Sequence, residues 1–556
     1  PAGSVTSGAS VECSGDFANQ TYSIPGVQNV TIVNTGDWTE TGNLPSANAA
    51  SIIGPQSPDI NYTGLHVTNY GTLRWTEASN TYQSNVSLRT PSVLGSYYQT
   101  LSRGSTYINH GTIIAETTAT AIGTIGGIGN VGRSGVLYSE NTGTIQIDVS
   151  RLTNAAGYGA GMISFAGSDI DMVNSGTISV VAGPRTGSGM DYTFNASFAG
   201  YQSGSVNMDN SGDIAVSATT GSAYGLGFFL SGSVPTLTDV TMTNTGQVQV
   251  TTTSGTAASF YAQSSNAGIP IRIVNGGDAQ SSGYSILAAA SNVAPIHALN
   301  TGTLQGDILT RAAADIYRQE NSGELIGGLN LGNGSDLAEF ITTDVSAVTS
   351  FDGGDDVSAT DGMVDTLTFS GVVATLAGAD IINWENIGID SGTITISDGM
   401  LVTGQEDGVG LTLASGGTLD AGTAMTLTGN VTLEDGGTFE ASGGGAGVYT
   451  ITGNVTNAGL ISSVDGVSGD QVRVTGLYTG TGGMVALDTT LGDDSSATDA
   501  LYLDGASAGT SYLRISNAGG AGALTTNGIK VVDVRGASDG VFSLVGDYVH
   551  EGAPAV

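Results

Sequence analysis

The phrase Asn-x-Gly recurs along this chain, and ten of its occurrences follow one another at long intervals, at Asn34, Asn69, Asn109, Asn141, Asn174, Asn210, Asn244, Asn275, Asn300 and Asn321. Successive asparagines stand 35, 40, 32, 33, 36, 34, 31, 25 and 21 residues apart, a scatter about one length that shortens late. One turn type recurring at such intervals predicts one phrase per coil of a solenoid, with coil length varied by loops. The residues suit a corner. Asn tolerates left-handed backbone angles and bonds its own backbone, and Gly is expected to supply a positive φ. After each glycine comes a run that alternates apolar and polar residues, as in Thr177-Ile178-Ser179-Val180 and Gln247-Val248-Gln249-Val250. A period of two puts Ile and Val on one face of a strand. Stacked coils then align the ten asparagines in a ladder, each amide bonding the next. The expected fold is all-β, a right-handed parallel β-helix closed by a C-terminal β cap. A flat meander or a sandwich does not explain why one turn repeats at coil length.

Past Asn321 the phrase fades and strand–turn units tighten, as in Met425-Thr426-Leu427-Thr428-Gly429-Asn430 and Tyr449-Thr450-Ile451-Thr452-Gly453-Asn454. The chain is therefore divided into long coils with protruding loops over 1–320, short coils over 321–480 and the cap over 481–556. The excess of the long coils includes Tyr82 to Tyr98 and Tyr192 to Tyr201. Tyrosines among Ser, Gly and Asn either make adaptable contacts to a partner or pack back on the coil.

Composition agrees with many short strands and narrows the partners. Gly is 87 of 556 residues, Pro only 11, and 39% of residues are hydrophobic, enough for a core. The net charge is −36, and Lys530 is the only lysine. Nucleic acid and anionic membrane surfaces both demand basic patches, so neither is a partner. Divalent cations, neutral sugars and hydroxyl-rich ligands remain open. Cys13 is the single cysteine, so no intrachain disulfide forms, and the thiol reads as inert. No run of 18 apolar residues occurs. The first residues lack the basic and apolar segments of a signal peptide, so an exported chain has had its signal removed.

Several segments together resemble a known family. Asp499-Ala500-Leu501-Tyr502-Leu503-Asp504-Gly505, Tyr512-Leu513-Arg514-Ile515-Ser516-Asn517, Asn527-Gly528-Ile529-Lys530-Val531-Val532 and Gly540-Val541-Phe542-Ser543-Leu544 follow one another near the C-terminus. Their order is similar to the autochaperone segment of type V autotransporter passengers of the pertactin-like kind. Val364-Asp365-Thr366-Leu367-Thr368-Phe369 also resembles linkers of such passengers. The resemblance implies export through the periplasm to the cell surface. It also implies an outer-membrane β-barrel translocator beyond residue 556.

Enzyme signatures are thin. The Gly-Asp-Ser-Gly nucleophile motif of protease passengers is absent, and His66, His110, His297 and His550 are scattered. Gly505-Ala506-Ser507-Ala508-Gly509 and Gly536-Ala537-Ser538-Asp539-Gly540 satisfy Gly-x-Ser-x-Gly, which carries meaning only on a strand-to-helix elbow. Asp355-Asp356 and Asp493-Asp494 are adjacent pairs whose side chains diverge on a strand, unlike the convergent carboxylates of a glycosidase. No cofactor is expected, calcium excepted, for which the candidate ligands are Asp352, Asp355, Asp356, Asp361 and Asp365. The function expected is a non-enzymatic adhesin or self-association module, binding cell-surface or glycan ligands or copies of itself. A surface lattice bridged by divalent cations and a polysaccharide-active β-helix enzyme are the alternatives.

Overall fold

A computed structural model describes residues 8–546, apart from 19–21, 24–29, 43–52, 55–62, 78–91, 96–102, 118–123, 132–133, 153–157, 166–168, 196–203, 233–236 and 312. The chain divides into two compact units, Pro1–Ala313 and Ala314–Val556. Each is a parallel β-solenoid.

In the first unit every described coil repeats one path. A strand of the first sheet ends on the phrase asparagine, as in Asp169–Asn174, Ser205–Asn210 and Asp239–Asn244. The chain turns at the Gly and enters the second sheet through Thr177–Gly183, Asp213–Ala218 and Gln247–Thr252. Strands such as Thr186–Asn195, Ala223–Ser231 and Ala257–Ser264 follow before the chain returns. Pairing is parallel and aligns like with like: Met172, Met208 and Met242 stack, as do Ile178, Ile214 and Val248. These side chains are fully buried, each contributing about 1.5–3 kcal/mol of apolar burial.

The corner glycines do not have the backbone angles expected of them. Gly71, Gly111, Gly143 and Gly176 are outside the positive-φ region. Glycine is needed there because coils approach closely. A Cβ on Gly71 would lie 2.1 Å from the Gly36 carbonyl oxygen, and one on Gly176 would lie 2.1 Å from that of Gly143.

The second unit has tighter coils and a third, six-stranded parallel sheet that includes Met425–Thr428, Val448–Thr452, Gln471–Val474 and Ala500–Leu503. Its core opens with Phe340, Phe351 and Phe369 packed ring to ring, centroids 5.2–5.9 Å apart. Trp384 lies buried and donates its indole N–H to the Phe351 carbonyl at 3.0 Å. Near the C-terminus the long strands Tyr478–Thr489 and Ser507–Asn517 pair in parallel, and Phe542 stacks on Tyr478 at 5.7 Å.

Candidate binding surfaces

Nine of the ten phrase asparagines form one buried column. The amide Nδ2 of Asn34 donates to Oδ1 of Asn69 at 2.7 Å, and the pattern repeats from Asn69 to Asn109, Asn141, Asn174, Asn210, Asn244, Asn275 and Asn300 at 2.7–2.9 Å. Through Asn275, each Nδ2 also holds the carbonyl of its own corner Gly at 2.9–3.3 Å. Asn321 stands outside the column, contrary to the sequence reading. It is exposed with φ 58°, and the buried amide of its coil is Gln319. The repeat reading also missed the first rung. Cys13-Ser14-Gly15 is the same phrase with Cys in place of Asn, and Cys13 pairs in register with Asn34. A thiol cannot replace an amide donor, and the Trp38 indole N–H fills Asn34 Oδ1 instead, at 2.9 Å.

The five candidate calcium ligands serve separate local tasks. Asp352 accepts from the side chains of Asn330 and Asn383, Asp356 caps Ser358 N–H at 2.7 Å, and Asp361 caps Met363 N–H at 2.9 Å. Asp355 and Asp365 alone come near one another, close enough for Asp355 to add to the rise of the Asp365 carboxyl. Among the described residues no group of three or more His, Cys, Asp or Glu side chains is placed to hold a metal ion.

Asp365 belongs instead to a column that sequence reading did not find. The N–H of Asp315 donates to Asp336 Oδ1 at 2.6 Å, that of Asp336 to Asp365 Oδ1 at 2.8 Å, and that of Asp365 to Glu385 Oε2 at 2.7 Å. All four acids are buried. Burial pushes the Asp336 carboxyl up to about 9 and Asp365 up to about 8, with neighbouring carboxylates adding to both; burial also raises Glu385. The available signal was an acidic residue immediately before each of the strands Ile316–Glu320, Leu337–Ile341, Thr366–Leu376 and Asn386–Ile396. Asp499 has the same placement in the cap, where its two oxygens accept from Gly469 N, Asp470 N, Ser463 Oγ and Asp488 N at 2.7–2.9 Å.

Of the tyrosine-rich stretches, Tyr82, Tyr97, Tyr98 and Tyr201 lie outside the described residues, and Tyr192 and Phe194 are buried on a strand. An aromatic cluster forms elsewhere. Tyr261 stacks against Tyr224 at 4.2 Å and Phe229 at 4.8 Å, with Ala258, Tyr284, Leu287 and Leu309 around them. Tyr261 and Leu287 share a register column with Gly227, alternating with the core residues Leu226, Phe260 and Ile286, so the cluster sits on the outer side of the coil. The bare Gly227 admits the Phe229 ring, which a Cβ would meet at 2.7 Å. The same column holds Asp191, a fully buried carboxyl that accepts from Thr193 Oγ1 at 2.8 Å and is pushed up to about 7 by burial.

The histidines are separate. His110 stacks on exposed Tyr70 at 4.8 Å and touches Thr142 Oγ1, and the His297 ring is held below its usual range by burial and then by Arg272. His66 lies exposed on the strand Thr63–Asn69, and His550 lies outside the described residues. Ser507, from the first Gly-x-Ser-x-Gly match, is buried and accepts from the Gly540 N–H. In the second unit a groove of about 300 Å³ runs over the strands Gly410–Leu413, Val431–Leu433, Val455–Asn457 and Tyr478–Thr489.

Residues 451–553 match the family Autochaperone Domain Type 1, beginning earlier than the residue 481 read from the sequence. The chain is 48% identical over 85 residues to the adhesin BmaC autotransporter of Brucella suis biovar 1 (strain 1330), covering 15% of this chain and 2% of that protein. It is 39% identical over 99 residues to the probable autotransporter YfaL of Escherichia coli (strain K12), covering 17% of this chain and 8% of that protein. A third relative, the uncharacterized protein YdeU of the same strain, is 40% identical over 93 residues, 17% of this chain and 20% of that protein. The matched segments thus span at most a fifth of these relatives' lengths. Proteins of this kind pass through the periplasm to the cell surface, and the family implies an outer-membrane β-barrel translocator as export partner. Two parallel solenoid units followed by an autochaperone segment over 451–553 make this chain similar to the passengers of type V autotransporters.

Proposed function

We propose that this passenger is a non-enzymatic adhesin whose outer surface, rather than a catalytic cleft, meets the partner. The observation that carries the reading is the aromatic cluster of Tyr224, Phe229, Tyr261 and Tyr284. Phe229, Tyr261 and Tyr284 are partly exposed around the buried Tyr224, on strands whose registers are fixed by neighbouring coils. Tyr presents a large, stiff contact area with a polar tip at small entropic cost, which suits recognition of another surface. The adhesin name of the Brucella relative supports the same role.

The test displays the passenger on a non-adherent bacterium and counts cells retained on epithelial monolayers and on matrix-coated plates. Retention above the empty display is expected, falling several-fold in a Tyr261→Ala/Tyr284→Ala variant that melts like the parent. Retention equal to the empty display sinks the adhesin reading. Clumping of the displaying cells without attachment makes the partner a second copy of the chain.

A further inference from the structure

The groove of the second unit is floored by one column of threonines. Thr412 pairs in register with Thr432, Thr432 with Thr456, and Thr456 with Thr479, and the column is bounded by Gly388 and Ala508. Each Thr alternates with buried Leu, Val or Tyr, so all four side chains face outward. Among the described residues none of the four hydroxyls has a hydrogen-bond partner. The flanking amide of Asn430, by contrast, is committed at both its nitrogen and its oxygen, and Asn454 at its oxygen. Asn430 holds the carbonyls of Gln405, Glu406 and Val409 and accepts from Asn454 N–H, and Asn454 accepts from Leu477 N–H. Asn430 is thus held in place, and the floor keeps its hydrogen-bonding capacity.

We propose that this groove binds a neutral, extended glycan chain lying along the stacking direction. A hydroxyl both donates and accepts, which matches sugar hydroxyls. The threonines repeat at the strand spacing of about 4.8 Å. An extended chain of equatorially linked pyranose rings advances by nearly the same distance per residue, so successive sugars meet successive threonines. Exposed Leu477 offers an apolar edge for a ring's C–H face. Charge selects the ligand class. The lining carries one carboxylate, Asp407, and no basic residue, which disfavours uronates and sulfated sugars. A second copy of the chain would bring its own charge of −36 against this one. The volume stands at the lower end of the range for small-molecule sites, room for a short stretch of the polymer.

The purified full chain is titrated with cellotetraose, and with maltotetraose as the axially linked control, by calorimetry. Saturable binding of cellotetraose is expected, at least tenfold tighter than maltotetraose. It should weaken at least tenfold in Thr432→Val/Thr456→Val, which keeps side-chain shape and strand preference and is checked by its melting temperature. No saturable binding, equal binding of both sugars, or binding unchanged in the variant overturns the proposal. So does a variant that alters sedimentation of the chain while sugar binding stays, because the groove is then a contact between copies. The groove lies in Ala314–Val556 and the aromatic cluster in Pro1–Ala313, so either reading can fail alone.

Discussion

At the corner phrase two neighbouring residues do different work, and substitution separates them. Asn174→Ala removes one rung, leaving Asn141 Nδ2 without that acceptor and Asn210 Oδ1 to be refilled. A buried amide group left unpaired costs about 1–3 kcal/mol, so a loss of that order, in a folded protein, is expected by denaturant titration. Gly176→Ala is expected to be worse. Its backbone angle would tolerate alanine, but the new Cβ meets the Gly143 carbonyl at 2.1 Å, and two coils must part to admit it. If Gly176→Ala unfolds at the same denaturant concentration as the parent, close approach is not what the glycine is for. The Asn role was legible because the amide and its backbone partner lie within one phrase. The true reason for Gly was not, since its obstacle comes from a residue 33 positions earlier in the chain.

Columns of like side chains are the elements of this molecule, and the acidic one has a pH signature. An unfolded Asp titrates near pH 4. In the fold, burial and the neighbouring acids push Asp336 up to about 9 and Asp365 up to about 8. Between those limits the folded state holds protons that the unfolded state has released. The contribution is therefore complete below about pH 4 and is lost as pH rises toward 9. The melting transition of Ala314–Val556 should fall in temperature from pH 5 to pH 9, and Asp336→Asn should flatten that slope. A transition that rises over the interval contradicts the raised titration of these buried carboxyls. This column escaped sequence reading because its acids stand 21, 29 and 20 residues apart with no common phrase around them. The amide ladder, by contrast, carried its Gly beside every rung. The threonine floor was hidden for a related reason: Thr in an alternating strand reads as an ordinary solvated position until register stacks it.

On the scale of the whole chain, the coil is the unit that can be gained or lost. Deleting Gly276–Asn300 joins Asn275 to Thr301-Gly302 and recreates the corner phrase. Because each coil rests on its neighbours alone, the shortened protein is expected to fold and melt within a few degrees of the parent. Deleting Gly276–Ala288 by itself removes half a coil and should abolish cooperative melting, as read by circular dichroism. Equal stability of the two deletions would mean that register does not organise the solenoid. Fold class was legible from the spacing of a three-residue phrase. The binding surfaces were not, because rings such as Tyr224 and Tyr261, 37 positions apart, meet only after the coils close.

The amide ladder has a direction: every rung donates toward higher residue numbers and accepts from lower ones. Like a polymer with two unlike ends, a partly built stack that grows from its C-terminal side always shows the same open valence, a lone carbonyl oxygen awaiting an N–H. Each arriving coil fills it and presents an identical one. The Trp38 indole N–H occupies the last of these vacancies, at Asn34. It works as a terminator, using up the acceptor that the unfinished stack would otherwise offer to any other amide.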